Sequence, residues 1–282
     1  MREFADSGAL RASKIMNVCL QVRWFVKGGV TVILWREKFR AFGIHFATTL
    51  IVALLAAALI FLVWYPAPFG TMIGGLKLFM LITGCDLALG PLISLVIYNS
   101  RKSRLALVFD YTVVVVVQVA ALVYGVYSVS QARPAYVAFV KDRLEVIAAG
   151  EIAEKDLLEA KGSKYASPSI RGPVLVATLV KPEDRNDALW AAIEGRDVGV
   201  RPKFFVDYGS QVEPIKRQLK PLSKLRRRNQ EFEQIIAKTL RELQRPAEDF
   251  GWLPVKHTRG FWTALVDRQT GHPVKYVPID PY

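Results

Sequence analysis

The chain has 282 residues, of which 52% are hydrophobic, and it carries a formal net charge of +13. Its two cysteines are too few for a disulfide-stabilised scaffold. The basic residues form no stripe with interleaved aromatics and no zinc-finger spacing is present, which argues against a nucleic-acid partner. The hydrophobic residues are concentrated in the first half, whereas the second half has the composition of a soluble domain.

Three long apolar runs occupy residues 44–65, 75–98 and 105–129. A helix needs about 20 apolar residues to cross a hydrocarbon core about 30 Å thick, and each run meets that length. We therefore predict three transmembrane helices within residues 43–131. The predicted fold class is a three-helix transmembrane bundle followed by a small α+β domain.

The placement of Lys and Arg predicts the orientation of these helices. Residues 1–42 are basic, and the loop NSRKSR between the second and third runs is basic too. The loop PAPFGTMIGG between the first and second runs has no basic residue. We therefore expect residues 1–42 in the cytoplasm and residues 132–282 on the far side of the membrane. Residues 1–34 fit either an in-plane amphipathic helix or an extension from an upstream start codon.

The C-terminal domain is predicted to begin and end with a β-hairpin. The first lies in RPAYVAFVKDRLEVIAA, and the last pairs FWTALVD with HPVKYVPID across RQTG, where Gly271 supplies a positive φ. Between them, capping and turn signals predict helices at residues 153–160, 182–195, 211–219 and 229–243. GPVLVATLV is predicted to be a strand, and PKFFVDYGS a short strand or an extended segment. This order predicts one antiparallel sheet with helices on one face.

The second and third runs contain ionisable and polar residues. Inserting a carboxylate at the centre of a membrane helix costs about 2.5–3.5 kcal/mol. Asp86 and Gln118 lie at predicted depths of about 18 and 20 Å from the cytoplasmic end, and Asp110 at about 9 Å. One interpretation is structural: Asp86 bonds Gln118, and Asp110 bonds His45 or Tyr111, which joins the three helices.

The other interpretation is that these residues receive a partner's transmembrane segment. Gly84, Gly90 and Pro91 flank Asp86 in TGCDLALGPL. Glycines allow a second helix to approach closely, and Pro91 frees the carbonyl of Leu87 from its helical hydrogen bond. The same residues would also suit tight packing among the chain's own helices.

No motif for catalysis, metal binding or cofactor binding is present: GxGxxG, the P-loop, GxSxG, HExxH and paired CxxC are all missing from the sequence. We therefore predict no catalytic residues, no metal and no cofactor. The depth offset between Asp86 and Asp110 and the sequence GCD in place of GxGD argue against an intramembrane aspartyl peptidase. Three spans without a repeat argue against a transporter.

The chain contains the segments WREKFRAFGIHF, GGLKLFMLITGCDLALGPLISLVIYN, FDYTVVVVVQVAALVYGVYSV, RPAYVAFVKDRLEVIAAGEI and WTALVDRQTGHPVKYVPIDPY, in this order. Together these segments resemble the TfpX/TfpZ family of type IV pilin accessory proteins, which includes FimB-like proteins. The resemblance implies a bacterial inner-membrane protein with a periplasmic domain that promotes assembly or stability of type IV pili. It implies the major pilin as client and supplies no catalytic residues.

We therefore expect a non-enzymatic assembly factor that binds the transmembrane helix and head of the major pilin. Pilins of this class carry an apolar N-terminal helix with an acidic residue close to its amino end. Asp110 is expected to face that amino end, while Gly84, Gly90 and Pro91 pack its apolar middle. The alternative is a membrane-anchored sensor or signalling scaffold, and a third is an intramembrane peptidase or pilin-modifying enzyme. The sequence leaves the oligomeric state open.

Overall fold

A computed structural model describes residues 35–97, 103–226 and 229–282. The expectations for residues 1–34 lie outside this range. Contacts divide the chain into two units. One comprises the segment up to Leu50 together with Leu87–Val117, and the other comprises Ile51–Asp86 and Gln118–Tyr282. We describe each unit separately.

Three helices in the described part of the chain are long and apolar enough to cross a membrane: Lys38–Trp64, Gly75–Ile97 and Arg104–Ala132. Helix α1 covers Trp35–Ala58 and continues as a π-helical segment, Leu59–Trp64. A short helix α2, Phe69–Met72, lies in the first loop. Helix α3 covers Gly75–Ile97 and α4 covers Arg104–Ala132. The three predicted apolar helices are therefore confirmed, and their length and composition fit insertion in a membrane.

The C-terminal domain contains an eight-stranded sheet in the order β4-β3-β1-β2-β6-β7-β8, with β5 pairing with β6. The strands are β1 Pro134–Val140, β2 Arg143–Ala148, β3 Val174–Thr178, β4 Phe205–Asp207, β5 Lys220–Pro221, β6 Phe250–His257, β7 Gly260–Asp267 and β8 Pro273–Val277. Both predicted hairpins are present, and Gly271 has the expected positive φ of 70°.

The sheet is mixed rather than antiparallel, which corrects one detail of the predicted fold. Strand β1 pairs parallel with β3, and β2 pairs parallel with β6. A parallel pair needs a crossover connection. Helix α5, Glu154–Glu159, lies in the connection before β3, and the connection from β2 to β6 runs through every element between them.

Helices cover both faces of the sheet, which corrects the prediction from the sequence that they lie on one face. On one face Val137, Leu144 and Val255 form a core with Phe69 of α2 and Ile215 of α7, Val212–Gln218. The other face is covered by the remaining helices of the domain, which are α5, α6 (Arg185–Ile193), α8 (Leu222–Arg226) and α9 (Gln230–Leu243). Every residue of β1 is buried as a result.

Candidate functional site

The three membrane helices pack together at the ends that connect to the C-terminal domain, which we call the domain-side ends. Phe61 on α1 meets Phe79 on α3 edge to face, with ring centroids 5.3 Å apart. The Tyr65 hydroxyl donates a hydrogen bond of 2.9 Å to the carbonyl oxygen of Val129 on α4. A Cβ on Gly75 would lie 2.7 Å from the Tyr65 ring, so only glycine permits this approach. The domain-side ends therefore form one packed cluster.

The loop between α1 and α3 belongs to the core of the C-terminal domain. Phe69 and Met72 of α2 are buried against the sheet. The next helix end, Ala132 of α4, is separated from β1 by a single residue, Arg133. The membrane helices and the sheet are thus joined both through the chain and through side-chain packing.

Asp86 lies on α3 inside the membrane region and is partly buried. It forms no hydrogen bond or ion pair with any residue that the structure describes. Four residues away, Ile82 contacts α4, since a Cβ on Gly125 would lie 3.2 Å from the Ile82 Cγ2 atom. Residues four apart share a helix face, so Asp86 lies one turn further from the domain on the face that meets α4.

Gln118 lies seven residues before Gly125 on the same face of α4. At 1.5 Å per residue, Gln118 is about 10 Å from the Ile82–Gly125 contact, whereas Asp86 is about 6 Å from it. Among the described residues, Asp86 and Gln118 do not form the hydrogen bond that the sequence suggested, and they are offset by about 4 Å along the helix axes. Gln118 does have an interaction in the structure.

Gly84 is exposed, and a Cβ added to it would meet nothing within 4 Å. Its neighbour Cys85 is also exposed and has a free thiol. Residues two apart point to different sides of a helix, so Gly84 and Asp86 do not share one face. A helix that docks on this turn of α3 can therefore use the open side at Gly84 or the polar side at Asp86.

Gly90 and Pro91 differ from Gly84 because both are buried within the chain. In the same unit Ser94 is fully buried, and its hydroxyl lies within hydrogen-bond distance of the Nδ1 atom of His45 on α1. For Gly90 and Pro91, the interpretation as packing among the chain's own helices therefore fits the structure better. Ser94 was not predicted as a site residue, although a serine one turn after Gly90 in an otherwise apolar run was an available signal.

Asp110 lies on α4 and is partly buried, and it has interaction partners. Its predicted pairing with His45 or Tyr111, and its predicted contact with the amino end of a pilin, stay predictions. The described structure thus leaves one turn of α3, residues 84–86, as the part of the predicted site that offers open space and an unpaired carboxyl group.

The fold defines a class of protein in which three apolar helices, long enough to cross a membrane, are followed by a mixed α+β domain. A family model described as "Fimbrial assembly protein FimB" matches residues 33–74. Fimbrial assembly proteins of Dichelobacter nodosus are similar over a much larger part of the chain. The serogroup E1 and serogroup I proteins are 31% and 32% identical over 229 residues, which is 80% of this chain and 89% of each relative.

A third relative, the protein of serogroups C1 and C2 of the same organism, is 39% identical over 118 residues, which is 42% of this chain. The chain belongs to the FimB family of fimbrial assembly proteins. No solved structure matches it.

Proposed function

We propose that this chain is a non-enzymatic accessory factor of type IV pilus assembly in a bacterial inner membrane. The family membership supports a role in pilus assembly. The basic residues of segment 1–42 and the first loop without Lys or Arg support a cytoplasmic N-terminus. With three spans, the proposed topology has the C-terminal domain in the periplasm.

The proposed client is the major pilin, whose apolar helix docks on the turn of α3 at residues 84–86. The observation that carries this proposal is Asp86, a carboxyl group in the membrane region without a partner among the described residues. An unpaired ionisable group is costly in a bilayer, so such residues usually serve a partner or a pathway. Gly84 lies on a different side of the same turn, and the open space there gives a pilin helix room to approach α3.

Binding at this turn would also bring the pilin head to the C-terminal domain. Ile82 and Asp86 belong to the same unit as the sheet, and the domain-side ends are packed against each other and the sheet core. A pilin held by its helix at α3 would therefore have its soluble head beside the domain. Asp110 is proposed to face the amino end of the pilin helix.

The experiment is photo-crosslinking in piliated cells. A photoreactive amino acid replaces Cys85, which is exposed between the two proposed contact residues. A matched control carries the same amino acid at Leu62, which is 79% exposed on α1. We expect a covalent adduct with the major pilin from position 85 and much less from position 62. Absence of pilin adducts at position 85, or equal yields at both positions, would refute docking on α3.

A second experiment tests the carboxyl groups by co-purification of pilin with the solubilised protein. Asp86→Asn and Asp110→Asn remove the ionisable carboxyl group and keep the shape of the side chain. We expect either change to reduce the amount of co-purified pilin while pilin transcription stays constant. A change in transcription with normal co-purification would instead indicate a sensor, and a change in pilin mass would indicate a modifying enzyme.

A further inference from the structure

An irregular segment between α5 and β3, residues 161–173, is attached to the domain-side ends of two membrane helices. The first attachment is Arg133, the single residue between α4 and β1. Its Nε atom donates a hydrogen bond of 3.2 Å to the carbonyl oxygen of Ser169, and its Nη1 atom donates to the carbonyl oxygen of Ser130 at 2.5 Å. Arg133 therefore ties the segment to the end of the third span.

The second attachment is at Gly172, which is buried and has a φ of 62°. A Cβ at this position would lie 2.9 Å from the Cγ atom of Pro66 and 3.8 Å from the carbonyl oxygen of Val63. Pro66 follows the last helical residue of the first span, Trp64, by two positions. Gly172 therefore holds the segment directly against the end of the first span.

The start of the segment is fixed as well. The Tyr136 side chain on β1 is buried, and its hydroxyl donates to the carbonyl oxygens of Tyr165 and Ser167, at 3.1 and 3.0 Å. Because residues on both sides of it are held, the stretch 169–172 has a defined position level with the ends of two spans.

Between the two attachments lie Ile170, which is 66% exposed, and Arg171, which is exposed as well. Ser169 and Gly172 are each within two residues of Ile170, so its backbone lies within about 7 Å of both attachments. That is the level at which a bilayer changes from acyl chains to head groups, because the spans end there. An exposed isoleucine next to an arginine suits this boundary. The apolar side chain of the isoleucine enters the acyl region, and the guanidinium of the arginine stays with the phosphate of the head groups.

We propose that residues 169–172 form an interfacial anchor, in which Ile170 inserts into the lipid and Arg171 binds a phospholipid phosphate. The anchor is a third link between the domain and the membrane, beside the chain connection at Arg133 and the packing of α2. It fixes the tilt of the sheet relative to the bilayer surface. The inference needs only that the three helices span a membrane, and it does not depend on the pilin proposal or on which compartment holds the domain.

The test uses the full chain in vesicles of phosphatidylethanolamine and phosphatidylglycerol, without pilin. Both native cysteines are replaced by serine, and Ile170→Cys carries a nitroxide label. The control is Gln269→Cys, an exposed residue in the turn after β7. Arg259 contacts Gly74 at the domain-side end of α3 and lies next to the start of strand β7. The eight residues of β7 then lead away from Arg259 over about 27 Å to the turn that contains Gln269. Electron paramagnetic resonance then measures access of oxygen and of a water-soluble nickel chelate to each label.

We expect the label at position 170 to be reached by oxygen and protected from the chelate, and the label at position 269 to show the reverse. Adding Arg171→Gln should raise chelate access at position 170 at least twofold. Equal chelate access at positions 170 and 269 would overturn the proposal. Protection of position 170 that appears only after a protein partner is added would overturn it too, because the occupant would then be that protein.

Discussion

Phe69, in the loop between the first two membrane helices, packs against Tyr276 on strand β8, with ring centroids 5.4 Å apart. The contact joins a residue that follows the first span to a strand at the far end of the chain. Phe69 is nearly fully buried by this packing. The loop is therefore a structural part of the C-terminal domain, and its removal should affect the stability of that domain.

We predict that Phe69→Ala destabilises the full chain by about 3 kcal/mol, because truncation of a buried phenylalanine loses hydrophobic contacts and leaves a cavity. The measurement is the thermal unfolding midpoint of the C-terminal domain in the detergent-solubilised protein. The control is Leu189→Ala on α6, an exposed residue, which should change stability by at most about 0.5 kcal/mol. An unchanged midpoint for Phe69→Ala would mean that α2 does not contribute to the domain core.

Two glycines of α3 give a prediction that separates folding from docking. Gly75→Ala places a Cβ 2.7 Å from the buried Tyr65 ring, and we expect a loss of about 1–3 kcal/mol from overpacking. Gly84→Leu projects into open space, so the unfolding midpoint should stay at or above that of the wild type. Pilin co-purification should nevertheless fall for Gly84→Leu, since the side chain occupies the proposed docking surface. Normal co-purification with Gly84→Leu would place the pilin elsewhere.

Arg201 is fully buried and holds together the helices on one face of the sheet. Its Nη2 atom lies 2.7 Å from Glu159 Oε2 and 2.9 Å from Asp187 Oδ2, and its Nε atom lies 3.3 Å from the buried Asp156 Oδ1. Arg201→Met removes the buried positive charge, while Asp156 keeps Arg196 and the two other acids keep Lys203. We therefore expect a loss of about 2–3 kcal/mol from the lost charged hydrogen bonds.

The matched control for Arg201 is Lys275→Met, which breaks an exposed ion pair of 3.2 Å with Glu242. That change should cost at most about 1 kcal/mol. Chemical denaturation of the two variants measures both values. If the two variants lost the same stability, the buried network would have no structural importance.

Asp267 gives a prediction about pH. Its carboxylate accepts hydrogen bonds from the backbone N–H groups of Thr270 and Gln269, at 2.9 and 2.7 Å, and from Arg245 Nη1 at 2.6 Å. The backbone hydrogen bond from Thr270 and the Arg245 guanidinium lower the pKa of Asp267 to about 2. The ordinary pKa of an unfolded aspartate is about 3.9.

Because the pKa of Asp267 is lower in the folded state, its contribution to stability is fully present above about pH 4 and is lost as the pH falls towards 2. We expect Asp267→Asn to be less stable than the wild type at pH 7, and the difference to shrink between pH 4 and pH 2. Unfolding midpoints of both proteins across this range provide the measurement. Glu242→Gln, at an exposed ion pair, is the control. A difference that stays constant down to pH 2 would contradict the assigned role.

The sequence predicted those elements whose signals are local. The apolar runs predicted the three membrane helices, and the turn signals predicted both hairpins, including the positive φ at Gly271. Strand β6 was missed because Pro254 interrupts it and a proline normally argues against a central strand. On one side of β6, β5 pairs with residues 251 and 252 and β2 with residues 255 and 256. Pro254 lies in the gap between these two ladders, where its missing N–H group costs little.

The candidate site was predictable only in part. The rarity of carboxyl groups in apolar runs was enough to identify Asp86. Which glycine is open and which is buried depends on the rotation of each helix about its axis, and three almost uniformly apolar helices contain little information about that rotation. Gly84 and Gly90 were therefore grouped together, although the structure exposes one and buries the other. The buried role of the loop PAPFGTM had no signal, because its partners lie more than 60 residues away.

The burial of α2 in the sheet core has a practical consequence for biochemists who want a soluble sample. A recombinant fragment that starts at Arg133 would lack Phe69 and Met72 and would present the apolar residues they normally cover to water. Such a fragment should aggregate at concentrations that suit crystallisation. A chimera that grafts residues 66–73 onto the fragment through a flexible linker would restore the packing of Phe69 and Met72 and is the better starting point for a soluble sample.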